Sequence, residues 1–140
     1  MSYTTTTTRP STILYIDDDS DDCLILKSSL EDCGNSANLI FANDGEEAVR
    51  YLNSVSPASL PNLIVLDLNM PRWDGKQTLR YLKSQPHLAS IPVVVLSTSI
   101  NETDINACAS LGAASYFSKP FHYDGYKNMI ADFSRYMKAC

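Results

Sequence analysis

Short apolar runs alternate along this chain with stretches of helical spacing, and that alternation leaves few folds open. Ile13 to Ile16 is the first run, and Asn38 to Phe41 is a weaker one. Leu63 to Leu66 and Val93 to Leu96 are strongly apolar and rich in β-branched residues, and Ser115 to Phe117 is short. Continuous apolar strands suit a sheet covered on both faces. Between them, Cys23, Leu26, Leu30 and Cys33 recur at helical spacing, with Gly34 as a stop signal. Ala48, Leu52 and Val55 mark a second helix, Leu79 and Leu82 a third, and Ile105, Cys108 and Ala109 a fourth. Tyr126, Met129, Ile130, Phe133 and Met137 form the stripe of the last. Strands and helices in five such pairs predict an α/β fold: a single doubly wound parallel sheet with right-handed crossovers and helices on both faces.

Length and charge narrow the function. At 140 residues the chain has room for one domain with a real core. Its net charge of −5 argues against bulk electrostatic binding to nucleic acid or an anionic membrane. No apolar run approaches the roughly 18 residues of a membrane span, and MSYTTTTTRP lacks the apolar centre of a signal peptide. Residues 1–11 read as a disordered polar tail, with the domain at 12–138. Cys23, Cys33, Cys108 and Cys140 form no CxxC pair. They are expected to be reduced thiols in a cytoplasmic protein, the first three packed as small apolar residues.

A doubly wound sheet places its ligand site at the carboxyl ends of the strands, so the polar residues there should form one chemical set. Asp17 and Asp18 follow the first strand, and Asp67 ends the third. Ser97 and Thr98 follow the fourth, and Ser118, Lys119 and Pro120 the fifth. Three close carboxylates need a counter-charge. Mg²⁺ suits them, because it takes oxygen ligands and holds carboxylates together with phosphate oxygens and water. Lys119 can pair with an acid or with an anion added to it, and a hydroxyl at Ser97 or Thr98 can donate to that anion. These are the parts needed for phosphoryl transfer to aspartate. Asp19, Asp21 and Asp22 read as solvated first-turn residues favoured by a helix dipole. Asp44, Asp74 and Asp104 read as helix-start or turn residues.

The pieces ILYIDDDS, LIVLDLNMPRWDG, VVVLSTS and YFSKPF resemble the receiver domains of two-component response regulators, of the chemotaxis-regulator-like, stand-alone type. The resemblance covers about residues 12 to 138. It implies the flavodoxin-like strand order 2-1-3-4-5. It implies Asp67 as phosphoacceptor, with Asp18, Asp67 and the backbone carbonyl of Asn69 as direct Mg²⁺ ligands and Asp17 acting through water. Lys119 would contact the phosphoryl group across a cis Lys119–Pro120 peptide. Ser97 would be the switch hydroxyl and Tyr116 the aromatic that turns with it. The implied partners are a sensor histidine kinase or phosphotransfer protein and a downstream protein. A homodimer is compatible with the resemblance, and Tyr123, Tyr126 and Tyr136 read as half-buried helix residues. With only Lys138, Ala139 and Cys140 after the last stripe, no output domain is expected, and signalling would be by docking. The chain would not be an enzyme, apart from assisting its own phosphorylation and dephosphorylation.

Two rival readings fail on spacing. Asp17, Asp19 and Asp21 alternate as in a calcium loop, but Asp22 stands at the glycine position and Ser28 at the closing glutamate. An aspartate-nucleophile phosphatase resembles this site but needs an acid two residues after the nucleophile, where Asn69 stands. A third, a receiver that binds partners without phosphorylation, is disfavoured because the expected site residues are all present.

Overall fold

The computed structural model describes residues 11–34, 37–68 and 74–137. Among them, β1 (Thr12–Ile16), α1 (Ser20–Asp32), β2 (Asn38–Ala42), α2 (Gly45–Ser54), β3 (Leu63–Asp67), α3 (Gly75–Ser84), β4 (Val93–Ser97), α4 (Glu102–Ser110), β5 (Ser115–Ser118) and α5 (Tyr123–Phe133) follow in strict alternation. The strands form one parallel sheet in the order β2-β1-β3-β4-β5, as expected.

Strand alternation builds two cores, because successive side chains point to opposite faces. Leu14, Ile16, Ile64, Leu66, Val93 and Val95 face one way and meet Ala48 and Leu52 of α2, Leu79 and Leu82 of α3, and Cys108 of α4. Ile13, Tyr15, Leu63, Val65, Val94 and Leu96 face the other way and meet Leu26 and Leu30 of α1 and Tyr126, Met129, Ile130 and Phe133 of α5. Each fully buried Leu, Ile or Val contributes about 1.5–3 kcal/mol relative to exposure. The central strands β3 and β4 are buried at every position, whereas the edge strand β2 is only partly covered, in keeping with its weaker pattern.

Helix starts are fixed by local side chains. Asp19 caps α1 by accepting from the Asp21 and Asp22 amides, and Asp44 caps α2 through the Glu47 amide at 2.8 Å. Asp74 and Gln77 form a reciprocal capping box on α3. Asn101 caps α4 through the Thr103 amide at 2.7 Å. Gly34 ends the α1 turn with φ of +70°, a conformation costly for a residue with a Cβ.

Several expectations need correction. Cys33 is exposed, because it is the C-cap of α1 and lies past the helix's last buried residue, Leu30. Ala109 is exposed too, since the buried side of the short α4 is carried by Cys108. Tyr126 is buried and Tyr123 exposed, because the stripe of α5 centres on Tyr126. The Lys119–Pro120 peptide is trans; proline brings the two isomers close in energy, and the sequence alone does not choose between them. The proposed tail and Cys140 lie outside the described residues, except for Ser11.

Candidate functional site

The sheet register assembles the site. Ile16 pairs with Leu66, which sets Asp17 beside Asp67 one residue further on. Asp67 pairs with Leu96, and Ser97 with Ser118, so the hydroxyl and the lysine follow one step beyond. The Asp17 amide donates to the Ala42 carbonyl at 3.0 Å, and the Lys119 amide to the Ser97 carbonyl at 2.8 Å, so both residues extend the sheet's bonding past its last rungs. Asp17, Asp67 and Ser97 are buried, whereas Asp18 and Thr98 are exposed.

The acids converge as the sequence predicts. Asp17, Asp18 and Asp67 each offer a carboxylate oxygen, and these oxygens lie within 4.8 Å of one another. Such a set of hard oxygen donors fits Mg²⁺ or Mn²⁺. Asn69, whose backbone carbonyl was expected to join them, lies outside the described residues.

Lys119 supplies the protein's own counter-charge. Its Nζ stands 2.8 Å from Asp22 Oδ2, 3.2 Å from Asp17 Oδ2 and 3.6 Å from Asp67 Oδ1. Burial alone would lower the Lys119 ammonium, but the hydrogen bond to Asp22 and the Asp67 and Asp17 charges outweigh it and hold the group above its ordinary value. Next to the acids, burial and the Asp17 and Asp22 charges push the Cys23 thiol up to about 11, so it is no thiolate at neutral pH.

Two of these contacts are not what the sequence suggests. Asp22 reads as a solvated helix-start residue, yet it is the shortest ion-pair partner of Lys119. Tyr15 reads as an apolar strand residue, yet its hydroxyl donates to Asp17 Oδ2 at 2.5 Å. Strand periodicity holds the signal for Tyr15, since residues two apart share a face. Nothing in the spacing singles out Asp22 from its acidic neighbours.

A second network runs from the hydroxyl outward. Ser97 Oγ accepts from the Ser99 amide at 3.0 Å, and the Tyr116 hydroxyl donates to the Ser99 carbonyl at 2.8 Å. Ser99 Oγ donates to Asp104 at 2.8 Å, and Asp104 pairs with Lys76 of α3 at 2.7 Å. Ser97 and Tyr116 are thus joined through Ser99, and Ser99 is tied to both α3 and α4. Asp104, read as a turn residue, is the pivot of that tie.

The sequence matches the response regulator receiver domain family over residues 13–131. The chain belongs to that family. Receiver domains are phosphoacceptors of two-component systems rather than conventional enzymes, and phosphorylation and magnesium binding are characteristic of them. Receivers of this kind interact with histidine kinases or phosphotransfer proteins. The chain is 37% identical to the response regulator Rcp1 of Synechocystis over 113 residues, covering 79% of this chain and 77% of Rcp1. It is 30% identical to the probable methanogenesis regulatory protein FilR2 of Methanothrix harundinacea, covering 91% and 83%. The phosphorylated cyanobacterial phytochrome response regulator RcpA superposes with a TM-score of 0.82 at 33% identity, covering 92% of this chain and 94% of RcpA. The Mn²⁺-bound form of Rcp1 does so with a TM-score of 0.82 at 30% identity, covering 94% and 99%. This receiver is therefore similar to stand-alone response regulators, and among its described residues no helix is long and apolar enough to cross a membrane.

Proposed function

We propose that this receiver accepts a phosphoryl group on Asp67 from a phosphohistidine of a sensor kinase or phosphotransfer protein, in the cytoplasm, and signals by phosphorylation-dependent docking to a downstream protein. The domain would span 12–138, with 1–11 as a tail. The observation that carries the reading is the convergence of Asp17, Asp18 and Asp67 beside Lys119 at the carboxyl ends of the strands.

The residues have distinct tasks. An Asp67 carboxylate oxygen attacks phosphorus, and the phosphorus–nitrogen bond of the donor breaks as the new phosphorus–oxygen bond forms. The electron pair leaves with the imidazole. Asp18 and Asp67 would hold Mg²⁺ directly, with Asp17 acting through water and the Asn69 carbonyl, outside the described residues, as the further expected ligand; the ion would neutralise charge on the phosphoryl oxygens. Lys119 exchanges part of its contact with the acids for the incoming phosphoryl group, and Ser97 donates a hydrogen bond to it. The same site would position water to attack the aspartyl phosphate, releasing inorganic phosphate and restoring the Asp67 carboxylate, so the domain assists its own phosphorylation and dephosphorylation.

Switching follows from the Ser97–Ser99–Tyr116 linkage. Phosphorylation adds charge and acceptor oxygens at Asp67. Ser97 then turns towards them and loosens its bond from the Ser99 amide, and the Tyr116 contact on the Ser99 carbonyl adjusts with it. The face formed by α4, β5 and α5 changes as a population shift. Exposed Leu24 on α1, Ile100 in the β4–α4 connection and Phe121 in the β5–α5 connection offer apolar contact to a donor approaching the strand ends. A homodimer is compatible with the same face.

Beryllofluoride, which mimics a phosphoryl group on a carboxylate, tests the site without a kinase. With Mg²⁺ present it should shift the amide resonances of Ser97, Ser99 and Tyr116. Absence of shifts, or equal shifts in Asp67→Asn, contradicts the proposal.

A further inference from the structure

Tyr15 is wholly buried beneath the acidic pocket, and its position there has a chemical consequence. Its ring packs in the core between the sheet and the α1 and α5 helices, tilted against Phe41 at a centroid distance of 6.4 Å. Its hydroxyl reaches along the strand to Asp17 Oδ2 at 2.5 Å. That oxygen also faces Lys119 Nζ at 3.2 Å, while Oδ1 accepts the Asp19 amide at 2.9 Å. Asp17 therefore enters the pocket with three protein donors on its two oxygens. Asp18, next in sequence, is exposed to solvent.

We propose that Tyr15 is a positioning residue that sets the divalent-cation affinity of the pocket, holding Asp17 by its Oδ2 and leaving direct coordination to Asp18 and Asp67. The inference rests on the metal-binding reading above. A hydroxyl donor to a carboxylate makes a short, strong bond. It stabilises the buried negative charge without adding a positive one, so the pocket stays assembled before any cation arrives. The same bond takes up charge and a lone pair that a cation would otherwise use, so it weakens cation binding. Tyr15 is thus a partial internal substitute for the metal, alongside Lys119. The arrangement needs a tyrosine at this position, since an aliphatic strand residue can fill the core but cannot donate.

Tyr15→Phe keeps the ring and its packing and deletes one oxygen. Calorimetric titration with Mg²⁺ should give a dissociation constant about five times lower than that of the wild type, the size expected for one net hydrogen bond. Without Mg²⁺ the variant should melt below the wild type, and the gap should narrow at saturating Mg²⁺. A Mg²⁺ affinity equal to the wild type's, with the same loss of melting temperature at every Mg²⁺ concentration, overturns the proposal and leaves Tyr15 as a core residue. Weaker binding in the variant also overturns it. No Mg²⁺ or Mn²⁺ binding by the wild type overturns the metal reading itself, which the wild-type titration reveals before the variant is measured. A second readout is the tyrosine near-ultraviolet difference spectrum: Mg²⁺ should produce a blue-shifted band in the wild type that is missing in Tyr15→Phe, and the same spectrum in both contradicts the proposal.

Discussion

Lys119 is the residue that lets buried acids stand together, since its ammonium lies within 3.6 Å of Asp17, Asp22 and Asp67. Charges taken out of water are tolerated when paired, and removing one partner leaves the others uncompensated. Lys119→Met should therefore lower the stability of the metal-free protein by about 3 kcal/mol, read as a lower urea midpoint, and added Mg²⁺ should restore part of it. Asp67→Asn should act in the opposite direction. It removes one like charge from the pocket, so the metal-free variant should unfold at higher urea than the wild type while gaining less from Mg²⁺. A lower midpoint for Asp67→Asn without metal would show that the acids do not repel one another.

Elements hold the site through a few close contacts, and α3 makes two of them. At Gly75 a Cβ would stand 2.5 Å from the Leu68 Cα and 2.8 Å from the Asp67 carbonyl oxygen, both backbone atoms that cannot yield cheaply. Gly75→Ala should push the start of α3 off the end of β3, cost about 1–3 kcal/mol in denaturant titration, and slow phosphorylation by displacing Asp67. The Lys76–Asp104–Ser99 chain joins the same helix to α4. Hydrogen bonds from Lys76 and then Ser99 to its charged form hold the Asp104 carboxyl below the ordinary carboxylate value. A depressed value in the folded state means that the contribution is complete above the unfolded value and is lost as pH falls through the folded one. The pair is therefore intact at neutral pH and fails only in acid. A carboxyl-carbon NMR titration should find Asp104 low in the wild type and moved back towards the ordinary value in Lys76→Met.

For the molecule as a whole, a cation in the acidic pocket should raise global stability by mass action, by about 2.7 kcal/mol at a hundred times its dissociation constant. Melting temperature should rise with Mg²⁺ in the wild type and much less in Asp18→Asn. Most of the fold was legible because strand alternation and helix stripes are local patterns: Leu63 to Leu66 and Val93 to Leu96 announce buried central strands, and both are buried throughout. The acids, the hydroxyl and Lys119 were legible because a doubly wound sheet gathers its strand ends in one place. Asp22 was not, since its role depends on where α1 docks, and for Tyr15 strand periodicity gives only the face shared with Asp17, not how far the phenol reaches. The Asp104 tie depends likewise on the approach of α3 to α4. The proposed function depends on Asp67 as the acceptor. Intact mass after incubation with acetyl phosphate, with and without Mg²⁺, tests this most directly. One added phosphoryl group, appearing only with Mg²⁺ and absent in Asp67→Asn, is the predicted result. No added mass under conditions that trap short-lived phosphate, or the same addition in Asp67→Asn, would contradict it.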